Sequence, residues 1–145
     1  MSQDNVKLVI GLQPDSTVDV ARLFRDPAMS QSLSEAVAPY VHQDFEVVFN
    51  HALRGAMTYH GIDGLREAWL DWLSPWEAYR TEIQEALDFG EHVLLLVQDF
   101  GRREGSTQEV VLNGAAIWTI RDMQIVRVEF HNDRTSALEV LEPAS

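Results

Sequence analysis

The sequence predicts a single α+β domain, with helices in its front part and an antiparallel β-meander behind them. Two patterns carry that reading. Apolar residues recur at helical spacing through residues 1–40 and again between Gly61 and Trp76. Beyond Trp76, runs rich in Val, Ile, Phe and Trp are separated by short turn signals, the texture of strands joined by tight connections. A length of 145 residues at 46% apolar content is enough for one core, since compact domains most often hold roughly 100–150 residues. No repeat, low-complexity stretch or compositional break marks a linker, so the domain is read as spanning 1–145.

Ser2-Gln3-Asp4-Asn5 offers an N-cap and an acidic first turn, and Val6, Val9 and Ile10 follow before Gly11 and Pro14 stop the run. A second helix is predicted to start at Asp15-Ser16-Thr17, to bury Val20, Leu23 and Phe24, and to end at Pro27. Ser30–Tyr40 gives a third, with Leu33, Val37 and Tyr40 as its stripe, and Phe45–Phe49 is a short β-rich run. The clearest helix lies between Gly61 and Trp76. Ile62, Leu65, Trp69, Trp72, Leu73 and Trp76 fall at steps of 3, 4, 3, 1 and 3, opposite Asp63, Arg66, Glu67 and Asp71. Asp63 suits the positive end of the helix dipole, and Pro75 marks where the helix must finish.

Ala78–Leu87 contains good helix formers, yet Tyr79, Thr81 and Ile83 alternate with Arg80, Glu82 and Gln84, which predicts an edge strand. Val93–Val97, Glu109–Ile120 and Gln124–Asn132 complete the meander, with turn signals at Asp88-Phe89-Gly90, Glu104-Gly105-Ser106 and Arg121-Asp122-Met123. Asp133–Leu141 closes the chain as a short capped helix. Residues 93–97 are apolar at every position, so neither face of that strand suits water. Helices can cover one face only, and the other points to a homodimer formed through the outer face of the sheet.

Charge narrows the partners. Eleven Lys+Arg against 23 Asp+Glu give −12, of which −3 falls in residues 1–60 and −9 after them. Such a chain repels phosphate backbones and anionic lipid surfaces, so neither nucleic acid nor membrane is an expected partner. The absence of cysteine removes disulfides, thiolate metal sites and cysteine nucleophiles. No apolar run approaches the roughly 18 residues of a membrane span, and the acidic start lacks a signal-peptide pattern, so a cytoplasmic protein is expected. The acidic residues Glu77, Glu82, Glu85, Asp88 and Glu91 read as a solvated edge.

Few residues carry chemistry by pattern. Dinucleotide-binding, phosphate-binding and serine-elbow motifs are all missing. The histidines at 42, 51, 60, 92 and 131 contain no H-x-x-x-H pair, and none follows His131-Asn132-Asp133, so no metal or other cofactor is expected. His51, after Phe49-Asn50 at the end of a short strand, is either a solvated loop histidine or one facing a cavity. Tyr59 and His60 stand in the same position before the long helix. Trp69, Trp72 and Trp76 either fill the core or line a space for a flat apolar ligand. An inward Asp99 would be desolvated, its pKa raised, and fitted to acid–base work, whereas a slip of one residue puts Gln98 there instead. Asn113 either faces outward or donates a hydrogen bond to a ligand carbonyl.

Three segments extend the reading: His42–Phe49 around the first strand, Tyr59-His60-Gly61-Ile62-Asp63-Gly64-Leu65-Arg66 entering the long helix, and Trp118–Leu138 at the end. Together with the order of elements, they make the chain resemble the nuclear transport factor 2-like superfamily over residues 30–142. Within it, the chain resembles the SnoaL-like, ketosteroid-isomerase-like group. Met123 stands where that group usually has glycine in the last hairpin. The resemblance implies a cone-shaped, cystatin-like fold, with N-terminal helices packed in a strongly curved antiparallel sheet and a pocket for a small apolar molecule. It implies isomerase, lyase or cyclase chemistry by proton transfer without metal or nucleotide, or else a non-catalytic ligand-binding or dimerisation module. Positions that carry histidine and aspartate in the cyclases correspond to Val128 and Phe130. The isomerase base lies near the end of the first strand, where this chain has Asn50 and His51, making His51 the expected base with Asn113 near the oxyanion-stabilising position. Asn50, Tyr59, Trp72, Trp76, Gln98, Val128 and Phe130 complete the expected ligand-binding set.

Overall fold

The computed structural model describes residues 2–51 and 55–141, with side chains at 4–49 and 57–141. Three helices come first: α1 (Ser2–Gly11), α2 (Val20–Arg25) and α3 (Pro27–Val37). A hairpin, β1 (Val41–His51) and β2 (Gly55–His60), leads into α4 (Gly61–Leu73). The meander β3 (Trp76–Phe89), β4 (His92–Arg103), β5 (Glu109–Arg121) and β6 (Gln124–His131) follows, and α5 (Arg134–Leu141) ends the fold. Among the described residues these strands form one six-stranded sheet in the order β2-β1-β6-β5-β4-β3. It is curved and does not close. Every pairing is antiparallel except β1 with β6, which makes the sheet mixed where the sequence predicts an antiparallel one.

Helix boundaries follow capping chemistry. Asp19 accepts from the backbone N–H groups of Ala21 and Arg22, and Asp26 does the same for Ala28 and Met29. The expected start of α2 at Asp15 is displaced to Val20, because the Asp15 carboxylate is engaged by the Thr17 backbone N–H at 2.9 Å and the Thr17 hydroxyl at 2.8 Å, a local turn. Pro27 opens α3 and does not merely end α2. At the first helical position its missing N–H leaves no bond unmade. α4 stops at Leu73, and Trp76 starts β3. Arg25 Nη2 closes this join, donating to the Leu73 carbonyl at 2.6 Å and the Trp76 carbonyl at 2.5 Å.

The main core lies on the helix-facing side of the sheet, where Phe45, Val47, Val93, Leu95, Ile120, Ile125 and Val128 pack with Val9 of α1 and Ala68 of α4. Each large side chain buried this completely contributes roughly 1.5–3 kcal/mol. On the opposite side Leu94, Ala115 and Ile117 are buried under Ala137 of α5. That corrects the premise behind the predicted dimer. Residues 93–97 are apolar on both faces as expected, but Leu94 is buried within the chain itself, in one cluster with Ala115, Ile117 and Ala137, so its burial does not require a second subunit. Among the described residues, no helix is long and apolar enough to cross a membrane.

Candidate functional site

Between the helices and the inward face of the sheet lies a cavity of about 210 Å³. Strand alternation explains its lining. Leu95, Val97 and Asp99 follow one another at every second position of β4 and all reach the cavity. Thr81 is the cross-strand partner of Asp99 on β3, and Tyr79 lies one pleat further along. Leu112, Gly114, Ala116 and Trp118 come from β5, Phe130 from β6, Phe45 and Phe49 from β1. α4 contributes Leu65, Trp69 and Trp72, and α2 contributes Phe24.

Aromatic rings form much of the wall. Trp69 stacks on Phe24 at 5.5 Å with a 9° interplanar angle and meets Phe130 edge-on at 5.3 Å. Phe49 lies 4.8 Å from Phe130 and 6.3 Å from Trp72. Ring pairs of this kind add roughly 0.5–1.5 kcal/mol each beyond area burial, which fixes the wall in one arrangement.

Into this apolar space projects one carboxylate. Among the described lining residues Asp99 is the single acidic side chain, and Lys and Arg are absent. Thr81 Oγ1 donates to Asp99 Oδ1 at 2.6 Å, and the Tyr79 hydroxyl donates to Asp99 Oδ2 at 2.5 Å. Trp72 Nε1 in turn donates to the Tyr79 oxygen at 3.0 Å. Burial raises the Asp99 pKa above its ordinary value, an effect only partly offset by the two hydroxyl donors, which favour the carboxylate. Burial, and then the adjacent Asp99, hold the Tyr79 phenol far above the usual tyrosine range. A carboxyl group with a raised pKa in an apolar space can take up and release a proton nearer to neutral pH than an exposed one.

The residues expected from the sequence divide sharply. Trp72 and Phe130 line the cavity. Asp99 holds the inward place that the sequence left open between it and Gln98. Gln98 and Asn113 lie instead on the outer face, where Gln98 Nε2 donates to Asn113 Oδ1 at 3.2 Å and Gln84 Nε2 donates to Gln98 Oε1 at 3.2 Å. Alternation along β4 and β5 makes this necessary once Val97 and Asp99 face inward. Val128 points inward too but is buried in the core and is not part of the cavity wall. Trp76 packs on Gly101 and Tyr79, away from the cavity. The Tyr59 hydroxyl donates to Asp71 on α4 at 2.8 Å, a brace between β2 and that helix. The side chains of Asn50 and His51 lie outside the described residues.

Tyr79 and Thr81 were not singled out from the sequence. Their signal was the alternation that put them on one face of β3, but nothing in the sequence says which face meets the cavity. A second polar group lies on the outer side. His131 is buried, with Nδ1 2.9 Å from Ser136 Oγ and Nε2 3.3 Å from Glu129 Oε1, tying β6 to α5. Contact with His131, helped by the charges of Arg127 and His92, holds the Glu129 carboxyl below its ordinary value against the opposing effect of burial. Among the described residues, no group of three or more His, Asp or Glu is placed to hold a metal ion.

Comparison with known proteins agrees with this architecture. A protein called TerC, co-crystallised with polyporic acid, superposes with a TM-score of 0.63 at 21% identity, covering 95% of this chain and 98% of that one. A proposed SnoaL-like polyketide cyclase from Jannaschia sp. CCS1 gives 0.59 at 15% identity, covering 92% and 99%. A nuclear transport factor 2-like protein of unknown function from Mesorhizobium loti gives 0.59 at 9% identity, covering 90% and 91%. At these identities the likeness is one of fold. No curated protein sequence matches the chain. The model of the SnoaL-like domain matches residues 20–128, a stretch that runs from α2 to β6 and takes in both Tyr79 and Asp99. By that match the chain belongs to the SnoaL-like domain family, and its fold is that of nuclear transport factor 2-like proteins.

Proposed function

We propose that the chain is an enzyme of isomerase, lyase or cyclase type that moves a proton on a small apolar molecule held in the cavity. Asp99 is the acid–base group. The observation that carries this is a buried carboxylate, fixed by Tyr79 and Thr81, set in a mainly apolar and aromatic wall. Its raised pKa makes the ionised form a stronger base than an exposed aspartate. With a ketone in the cavity, an Asp99 oxygen takes a proton from the carbon beside the carbonyl, leaving an enolate, and returns it to the same or a conjugated carbon. Thr81 and Tyr79 hold the carboxylate plane, and Trp72 holds the Tyr79 oxygen. The apolar walls exclude water from the enolate.

The test is solvent deuterium exchange into phenylacetone, a flat aryl ketone, followed by NMR. Asp99→Asn should lower the catalysed rate by roughly 10²–10⁴-fold, the usual size of a general-base contribution, while His51→Ala retains it. Unchanged exchange in Asp99→Asn removes Asp99 from the chemistry, and loss in His51→Ala transfers the role to that histidine. Binding without turnover is the second reading. It is favoured by the engagement of both Asp99 oxygens in short hydrogen bonds, and it predicts phenylacetone binding with no exchange above the solvent rate.

A further inference from the structure

We infer that the molecule this cavity selects, apolar over most of its frame, carries one positive charge: a small aryl or alkyl ammonium, with Asp99 as its counter-charge and the aromatic rings as its walls. The inference rests on the reading above that the cavity is a ligand site, and it adds the ligand's chemical class.

Three observations lead to it. The cavity wall holds a carboxylate but, among the described residues, neither Lys nor Arg. Among the described residues, an ionised Asp99 has the two neutral hydroxyls of Tyr79 and Thr81 as its side-chain donors. Some exposed carboxylates of this chain do find guanidinium partners, as Glu77 does with Arg102 and Glu109 with Arg80. The cation missing at Asp99 is one a ligand can supply. Buried charges are otherwise paired, or else they neutralise, and burial raises the Asp99 pKa in the direction of neutralisation.

The second observation is the wall itself. Trp69, Trp72, Tyr79, Phe49 and Phe130 enclose one space with their rings at mixed angles, 89° between Phe49 and Trp69, 74° between Trp69 and Phe130, and 31° between Phe49 and Trp72. Rings set in several orientations around one space can offer negative faces from more than one side, as sites for alkylated ammonium groups do. The third is exclusion. An anionic ligand would meet a carboxylate, no Lys or Arg in the described wall, where His131 is the one lining residue able to carry positive charge, and a chain of net charge −12. A volume of about 210 Å³ exceeds the roughly 150 Å³ that admits benzene, which sets the scale at one ring with a short substituent.

Benzyltrimethylammonium and its uncharged carbon isostere neopentylbenzene separate charge from shape, because the ammonium keeps its charge at every pH. Titrations of the full chain, read by calorimetry and by tryptophan fluorescence, should show the ammonium binding at least tenfold more tightly near pH 8. Asp99→Asn should abolish the difference and leave neopentylbenzene within twofold of its wild-type affinity. In the wild-type chain alone, the preference should shrink as pH falls and Asp99 takes up its proton, a measurement that stands even where Asp99→Asn does not fold. Equal or tighter binding of neopentylbenzene overturns the inference while leaving the cavity as a ligand site. A preference that survives both Asp99→Asn and acid also overturns it. Failure of both probes to bind overturns the inference together with the reading on which it rests.

Discussion

The Tyr79 hydroxyl reaches Asp99 diagonally across the β3–β4 pair. In register Tyr79 faces Gly101, and Thr81 faces Asp99, yet both hydroxyls end on the same carboxylate. Two donors from one strand therefore hold both oxygens of an acid on the next. Removing either donor withdraws an interaction that favours the charged form. In Tyr79→Phe and in Thr81→Val, the Asp99 carboxyl should titrate at higher pH than in the wild type, followed by carboxyl ¹³C NMR. A titration that stays in place in both variants would show that the hydroxyls do not govern this group.

Stability should carry the mark of the same carboxyl. Folding strengthens proton binding at Asp99, so its contribution is fully present below the unfolded value and is lost as pH rises through the raised folded one. Glu129 acts in the opposite sense, contributing above its unfolded value and losing that contribution as pH falls through its lowered folded one. Urea midpoints should fall for the wild type as pH rises from the ordinary aspartate value towards the raised folded one. Asp99→Asn should flatten that fall. An identical pH dependence in both chains would contradict the assignment.

Gly101 is required by packing. A Cβ there would lie 2.5 Å from Cε3 of Trp76, whose ring is buried against the strand. Gly101→Ala should cost roughly 1–3 kcal/mol, the usual range for overpacking. A thermal unfolding scan measures the loss, and a shift in Trp fluorescence should accompany it as the indole is displaced.

Arg25 links α2 to the exit of α4 through the Leu73 and Trp76 carbonyls. Arg25→Met keeps the aliphatic stem and removes the donors. Hydrogen bonds to charged groups contribute roughly 1.5–3 kcal/mol, and a stability loss in the lower part of that range is expected by denaturant titration. Loss below about 0.3 kcal/mol would mean that water replaces the guanidinium without penalty.

In the last hairpin, Asp122 and Met123 have φ of 52° and 62°, the left-handed region that the tight turn between β5 and β6 imposes. Met123→Gly removes a side chain from that strained position. The melting temperature should rise, by an amount corresponding to about 0.5–1 kcal/mol.

Much of this fold was legible because its signals are local. The stripe Ile62, Leu65, Trp69, Trp72 and Leu73 placed α4, and the alternation through Tyr79, Thr81 and Ile83 placed β3 as a strand despite its helix-forming residues. Boundaries set by a side chain turning back on the backbone were less legible, as at Asp15, Asp19 and Asp26. The hairpin strand β2 was hidden in what reads as a linker, because Gly55–His60 has few apolar residues and takes its order from pairing with β1. The candidate site was half legible for a related reason. Asp99 and Gln98 are adjacent, and only the packing of the whole sheet decides which of them faces the helices. Irregularities also move parity within a strand: β3 changes register between Ile83 and Glu85, so no single alternation runs along its whole length.

The parallel pairing of β1 with β6 has a consequence for how the chain comes to be folded. Val41 lies beside Ile125, and Phe49 beside Phe130. The first strand to leave the ribosome therefore waits for nearly the last before its inner edge is satisfied. The β3–β5 meander and the pairing of α2 with α3 can assemble from near neighbours, but the seam that joins the β1–β2 hairpin to the meander depends on closing a long loop, a slow step for any chain. The ring contact between Phe49 and Phe130 spans that seam. The cavity thus comes into being only with the final strand, and no shorter nascent chain would offer a ligand the enclosed space described above.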